Sequence, residues 1–274
     1  MKYVLKFLLP KGLVDYVQQK SLGHYFSRYL LEKKFLTQNS DLKDLFKDQR
    51  LYIVCNGPSV KKQDLTLLAG QIVFTVSAGY LHTGIDKIHP KFHLIPALTF
   101  TEKFTKDKAV HWLKEMHELL PKETQIVMSV NEQKLVQDHQ LFSGRKIYYV
   151  SMVKSWEQEL AFNLTGRISR VQSVPIMGLL IAIYMGFKEI NLVGTEHDSF
   201  QGEYKYAFNY EDHSTDVENG AVISPQSEAF QVNYLLFEQY ERIASFAQKF
   251  NLKVYNLTDG GVLNVFPRKR FPNL

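Results

Sequence analysis

Two short stretches gather side chains that can do chemistry at the ends of apolar runs: Asn56-Gly57-Pro58-Ser59 and Gly194-Thr195-Glu196-His197-Asp198. A histidine beside carboxylates suits general base catalysis, because its unperturbed pKa lies near neutrality and a carboxylate can orient the ring. His197 between Glu196 and Asp198 has that pattern, and His213 beside Glu211 and Asp212 repeats it. The sequence does not separate the two. The Asn-Gly-Pro-Ser turn suits a negatively charged ligand: Gly57 permits close approach, Pro58 stiffens the turn, Ser59 can cap the next helix, and Asn56 offers donor and acceptor together. The same four residues also make an ordinary structural turn. Neither a Gly-x-Gly-x-x-Gly fingerprint nor a phosphate-loop Gly-x-x-x-x-Gly-Lys-Ser/Thr motif is present.

These residues need strands to position them. Apolar runs at 51–55, 71–80, 91–100, 124–131, 146–153, 188–197 and 251–258 read as strands, with helices over 109–120 and 231–250. The uncharged stretch 171–187 has 17 residues, at the short limit for a membrane span. Ser173 and Pro175 mark a helix start and Gly186 a stop, so a buried helix is the more economical reading. Strands alternating with helices predict an α/β fold, a Rossmann-like, mostly parallel sheet with helices on both faces. Residues 48–274 are expected to form that domain. The polar segment 194–227 is too long for an idle connection and is expected to be a lid.

The charge is unevenly placed. Seven Lys or Arg against two acids in residues 1–36 account for the whole net charge of +5. Residues 1–47 therefore read as a basic amphipathic helical segment, suited either to packing on the domain or to an anionic membrane surface through residues 1–36. No nucleic-acid motif accompanies this charge. One cysteine, Cys55, excludes internal disulfides and fits a cytoplasmic protein. No signal peptide is evident, and an oligomer is left open.

The segments "VCNGPSV" (54–60), "RVQSVPIMGLLIAIYMGFKEINLVGTEH" (170–197) and "YAF" (206–208) occur in an order and spacing that resembles the bacterial sialyltransferases of glycosyltransferase family 42. A looser similarity extends to pterin pyrophosphokinase-like proteins. The first resemblance implies a GT-A-like variant of the fold, binding a CMP-activated sialic or related nonulosonic acid. It places Asn56, Gly57 and Ser59 at the nucleotide, with Ser77 at the end of the second strand, where the family uses asparagine. Arg170 and Ser173 match the family's arginine and helix-start serine, and Tyr206 its lid tyrosine. The family's base histidine has no counterpart after His213, so His197 and His213 stay as the candidates, with Glu196 and Asp198 as orienting carboxylates.

The resemblance thus implies an inverting glycosyltransferase, extending a surface glycan such as lipopolysaccharide or capsule, at the inner face of the membrane. Its partners would be a nucleotide-sugar donor and a glycan or lipid-linked acceptor. A CMP leaving group can be stabilised by tyrosine hydroxyls and cations, so no metal and no cofactor is expected. An ATP-dependent pterin pyrophosphokinase-like enzyme and a non-catalytic glycan-assembly scaffold are the alternatives.

Overall fold

The computed structural model describes residues 30, 32–100, 102, 104–153, 160–201, 207, 217–218, 221–222 and 226–271. Strands β1 (Arg50–Val54), β2 (Ile72–Val76), β3 (Phe92–Leu94), β4 (Gln125–Ser129), β5 (Ile147–Met152), β6 (Arg167–Ile168), β7 (Glu189–Val193) and β10 (Lys253–Asn256) form one sheet. Its order is β10-β7-β1-β2-β3-β4-β5-β6, and every pairing is parallel. A separate antiparallel pair, β8 (Val217–Glu218) with β9 (Ala221–Val222), lies within the expected lid segment.

The apolar runs are continuous because both faces of the sheet are covered. Along β1, Leu51 and Ile53 point to one core while Tyr52 and Val54 point to another. The helices are α1 (Ile85–Ile88), α2 (Lys106–Leu119), α3 (Gln133–Asp138), α4 (Val174–Tyr184) and α5 (Gln226–Lys249). Helices α4 and α5 cover the first face, joined there by Phe74, Phe92 and Val150. On the other face, α2 packs Trp112, Leu113 and Met116 over Ile126 and Met128, and short 3-10 turns pack Val60, Leu65 and Leu68 over Val54 and Val73. Gly178 lets α4 settle on the sheet: a Cβ there would stand 3.2 Å from Ile53 and 3.3 Å from Leu94. The uncharged stretch is thus a buried helix, and among the described residues no helix is long and apolar enough to cross a membrane.

Residues 1–29, the greater part of the expected basic segment, lie outside the described residues. Its continuation runs down the sheet edge antiparallel to β5. Glu32 accepts from Ser151 Oγ at 2.8 Å and from Arg167 at 2.9 and 3.1 Å, while Asn39 Nδ2 donates to Tyr149 O and Leu164 O, each at 2.7 Å. Asp41 pairs with Lys146, and Leu42 enters the main core. Residues 32–42 are therefore built into the α/β unit.

Candidate functional site

Parallel pairing sets Arg50 to Val54 against Glu189 to Val193, so β1 and β7 end level at the carboxyl rim. The ladder continues past the strands, with the Cys55 N–H on Val193 O at 2.8 Å and the Gly57 N–H on Gly194 O at 3.0 Å. The two stretches singled out by sequence therefore lie side by side. Gly57 is required by space: a Cβ there would stand 1.6 Å from Glu196 Oε2 and 2.7 Å from Gly194 O.

The turn differs from expectation in its anion. Its N–H groups are expected to face a ligand, yet the Ser59 N–H donates to Glu196 Oε1 at 2.7 Å and the Val60 N–H to Gly57 O at 3.2 Å. Pro58 has no N–H, and that of Gly57 is already paired. The negative group at this turn is the chain's own carboxylate. Burial raises the Glu196 pKa, contact with Ser59 opposes the rise, and nearby Asp198 adds to it. Glu196 is also covered from behind. Its carbonyl accepts from Val262 N–H at 2.8 Å, and a Cβ on Gly261 would lie 2.4 Å from Glu196 Cα. Arg268 holds that covering loop through the carbonyls of Thr258, Gly260 and Gly261 at 3.2, 2.6 and 2.9 Å.

His197 takes a left-handed backbone, φ 54°, and its Nε2 meets the Tyr240 hydroxyl of α5 at 2.8 Å. The ring therefore meets Tyr240 where a flanking carboxylate was expected, because Glu196 turns to Ser59 instead. Burial lowers the His197 pKa to about 4 and raises that of Tyr240, so both are neutral at physiological pH. Ser173, the residue before α4, lies near the Tyr240 hydroxyl and does not cap the helix with its side chain. Arg170 is exposed, with its carbonyl accepting from Gln239 Nε2, while Gln172 N–H donates to Gln239 Oε1 at 2.8 Å. Helix α5 thereby holds both His197 and the approach to α4.

On the other side, Asn56 Nδ2 donates to Val76 O at 3.0 Å, binding the ends of β1 and β2. Ser77 follows β2 with φ 50°. Two histidines missed from the sequence complete this corner. His93 Nε2 donates to Ser77 O at 3.0 Å, and His82 Nε2 to Cys55 O at 3.2 Å. No local signal could have found them, since each acts on a residue at least 16 positions away. Tyr206 and His213 lie outside the described residues, as does most of the lid. Between them Ala207 is described and buried, its N–H donating to Asn56 O at 2.9 Å.

Chemically, the rim offers an amide at Asn56, hydroxyls at Ser59 and Ser77, and a neutral imidazole at His197. Among the described residues, no group of three or more His, Cys, Asp or Glu gathers as a metal site would. A scan against protein-family models finds none that matches the chain, and a search of curated proteins finds no significant match.

Proposed function

We propose that the protein is a glycosyltransferase that moves an acidic sugar from a CMP-activated donor to a surface-glycan acceptor. One observation carries the reading: the Asn56–Ser59 turn, the Gly194–Asp198 segment and Ala207 of the Tyr-Ala-Phe triplet meet at a single rim. In parallel α/β sheets ligands bind beyond the carboxyl ends of the strands, which is where these three pieces converge. Asn56 and Ser77 would contact the nucleotide, and Tyr206, next in chain to a residue tied to Asn56, would meet the leaving phosphate. The base role falls to His213. His197 has its Nε2 engaged by Tyr240 and its basicity lowered by burial, which suits it to holding the lid's origin rather than taking a proton.

Glu32 is bound to Ser151, near the carboxyl end of β5, and to Arg167, and the basic residues 1–29 precede it in the chain. A basic segment leaving there would bring the rim toward anionic lipid and a lipid-linked acceptor.

Thermal unfolding with CMP, UDP and GDP tests the reading. A ligand at a hundred times its Kd stabilises the folded state by about 2.7 kcal/mol, so CMP should raise Tm clearly while UDP and GDP do not. No shift with any of the three overturns it. Magnesium- and ATP-dependent turnover of a pterin would select the pyrophosphokinase-like alternative.

A further inference from the structure

Eight non-glycine residues among those described have a left-handed backbone, and six of them lie in turns that lead into strands. Only Ser77 and His197 follow a strand, and both stand on the candidate site. Left-handed backbone is unfavourable for a residue with a Cβ and persists where surrounding contacts impose it. At Ser77 the contact is visible. His93 lies directly across the sheet from Thr75, on β3. Its ring spans two residues of β2 and its exit: Nδ1 meets Thr75 Oγ1 at 2.8 Å and Nε2 meets Ser77 O at 3.0 Å. A carbonyl only accepts, so Nε2 carries the proton and Thr75 donates its hydroxyl to Nδ1. His82 acts in the same way one strand over, with Nε2 donating to the Cys55 carbonyl that immediately precedes Asn56. Asn56 in turn donates to Val76 O, the carbonyl immediately before Ser77.

From this geometry we infer that His82 and His93 are positioning residues of the nucleotide site, fixing the backbone at Asn56 and Ser77 so that both present their side chains to one ligand. The inference rests on the nucleotide reading above and adds to it the two groups that hold the site's shape. Both rings are buried, with pKa values lowered to about 4 and about 3 by desolvation, so they remain neutral and the arrangement does not loosen across the physiological range. Tyr80 supports the His93 ring edge-on, with centroids 6.3 Å apart. Neither histidine is itself assigned a contact with substrate.

The test uses the full chain, with CMP as the probe in calorimetric titration and Tm measured alongside. His93→Phe keeps ring volume and removes both hydrogen bonds. His93→Gln restores a donor toward Ser77. CMP affinity should fall about tenfold or more in the first, a loss of about 1.4 kcal/mol, and recover most of that in the second. His82→Phe should behave as His93→Phe does. Should the phenylalanine variants fail to fold, Ser77→Gly reads the same effect without burying an unpaired group. Glycine relieves the left-handed strain, so Tm should rise by about 2–4 °C while CMP affinity falls further than in Ser77→Ala, which removes only the hydroxyl.

A merely structural role would move Tm and leave affinity alone. Wild type binding CMP, with every foldable variant binding it equally well, overturns the positioning role and leaves the nucleotide reading standing. Wild type binding no nucleotide overturns the reading itself, and the role with it.

Discussion

Glu196 Oε1 accepts from the Ser59 backbone N–H at 2.7 Å, so β1 and β7 are joined at their ends by a side chain as well as by the ladder. Removing the acceptor leaves a buried N–H unsatisfied. Glu196→Ala should cost about 1–3 kcal/mol in urea unfolding at pH 7. Glu196→Gln keeps an acceptor and should stay within about 1 kcal/mol of wild type. Because burial raises the Glu196 pKa, its ionised form is disfavoured in the folded state. The balance between wild type and Gln should shift toward Gln as pH climbs above the ordinary carboxylate value. A balance that shifts toward wild type instead would contradict this.

Gly57→Ala is expected to be more damaging than either change. The new methyl would meet both Glu196 Oε2 and the Gly194 carbonyl, the latter at 2.7 Å, and the backbone oxygen cannot swing aside. The loss should approach about 3 kcal/mol. Pairing it with Glu196→Ala relieves only the side-chain clash, so a double variant as stable as Glu196→Ala alone would show that the backbone contact is harmless.

Acid should weaken the fold through its histidines. His82 and His197 have pKa values lowered to about 4 and His93 to about 3, against an ordinary 6.5, each chiefly by burial. Between pH 6.5 and about 4 the unfolded chain takes up protons that the native rings refuse. The stability these rings supply is complete above 6.5 and is lost as pH falls through that window. Each ring contributes a limiting slope of about 1.4 kcal/mol per pH unit. Glu132 and Glu196, raised by burial, act in the opposite sense but are fewer. Urea midpoints that do not drop between pH 7 and pH 5 would refute the account.

Much of this architecture was readable from the chain. The run at 51–55 covers all of β1 but Arg50, those at 124–131 and 146–153 contain β4 and β5, and the helix expected over 109–120 overlaps α2. Continuous apolar runs are enough for strands covered on both faces. The run at 71–80 is longer than the strand it holds: β2 stops at Val76, and Ser77–Leu81 is a 3-10 turn. Apolar content does not reveal where His93 grips Ser77 O and turns the backbone. The partnership of Asn56–Ser59 with Gly194–Asp198 was legible as a position, because strand ends of a parallel sheet share a rim. The group that fills the turn was not. Whether Glu196 faces His197 or Ser59 depends on the space above Gly57, and the Tyr240 hydroxyl reaches His197 from 43 residues away.

The ion pair between Glu32 and Arg167 should couple strongly. Its side chains are only 9 % and 13 % exposed, and Ser151 also donates to the carboxylate. Arg167→Met alone removes the guanidinium from a buried carboxylate and should cost about 3–5 kcal/mol. Adding Glu32→Gln should recover a large part of that, because the charge is then gone too. An additive double-mutant cycle would place the two groups in water rather than in contact.

Where the pairing of β1 with β7 begins, Arg50 faces Glu189, a partner made long after it. At the roughly 5–20 residues per second of ribosomal synthesis, one flank of β1 stays bare for about seven to thirty seconds. The nascent chain thus carries an open hydrogen-bonding edge for that interval, and the rim that bears the site is completed only after β7 has been made. Cells slowed in elongation, or short of chaperones that shield such edges, should accumulate this protein as aggregate before they lose it to unfolding.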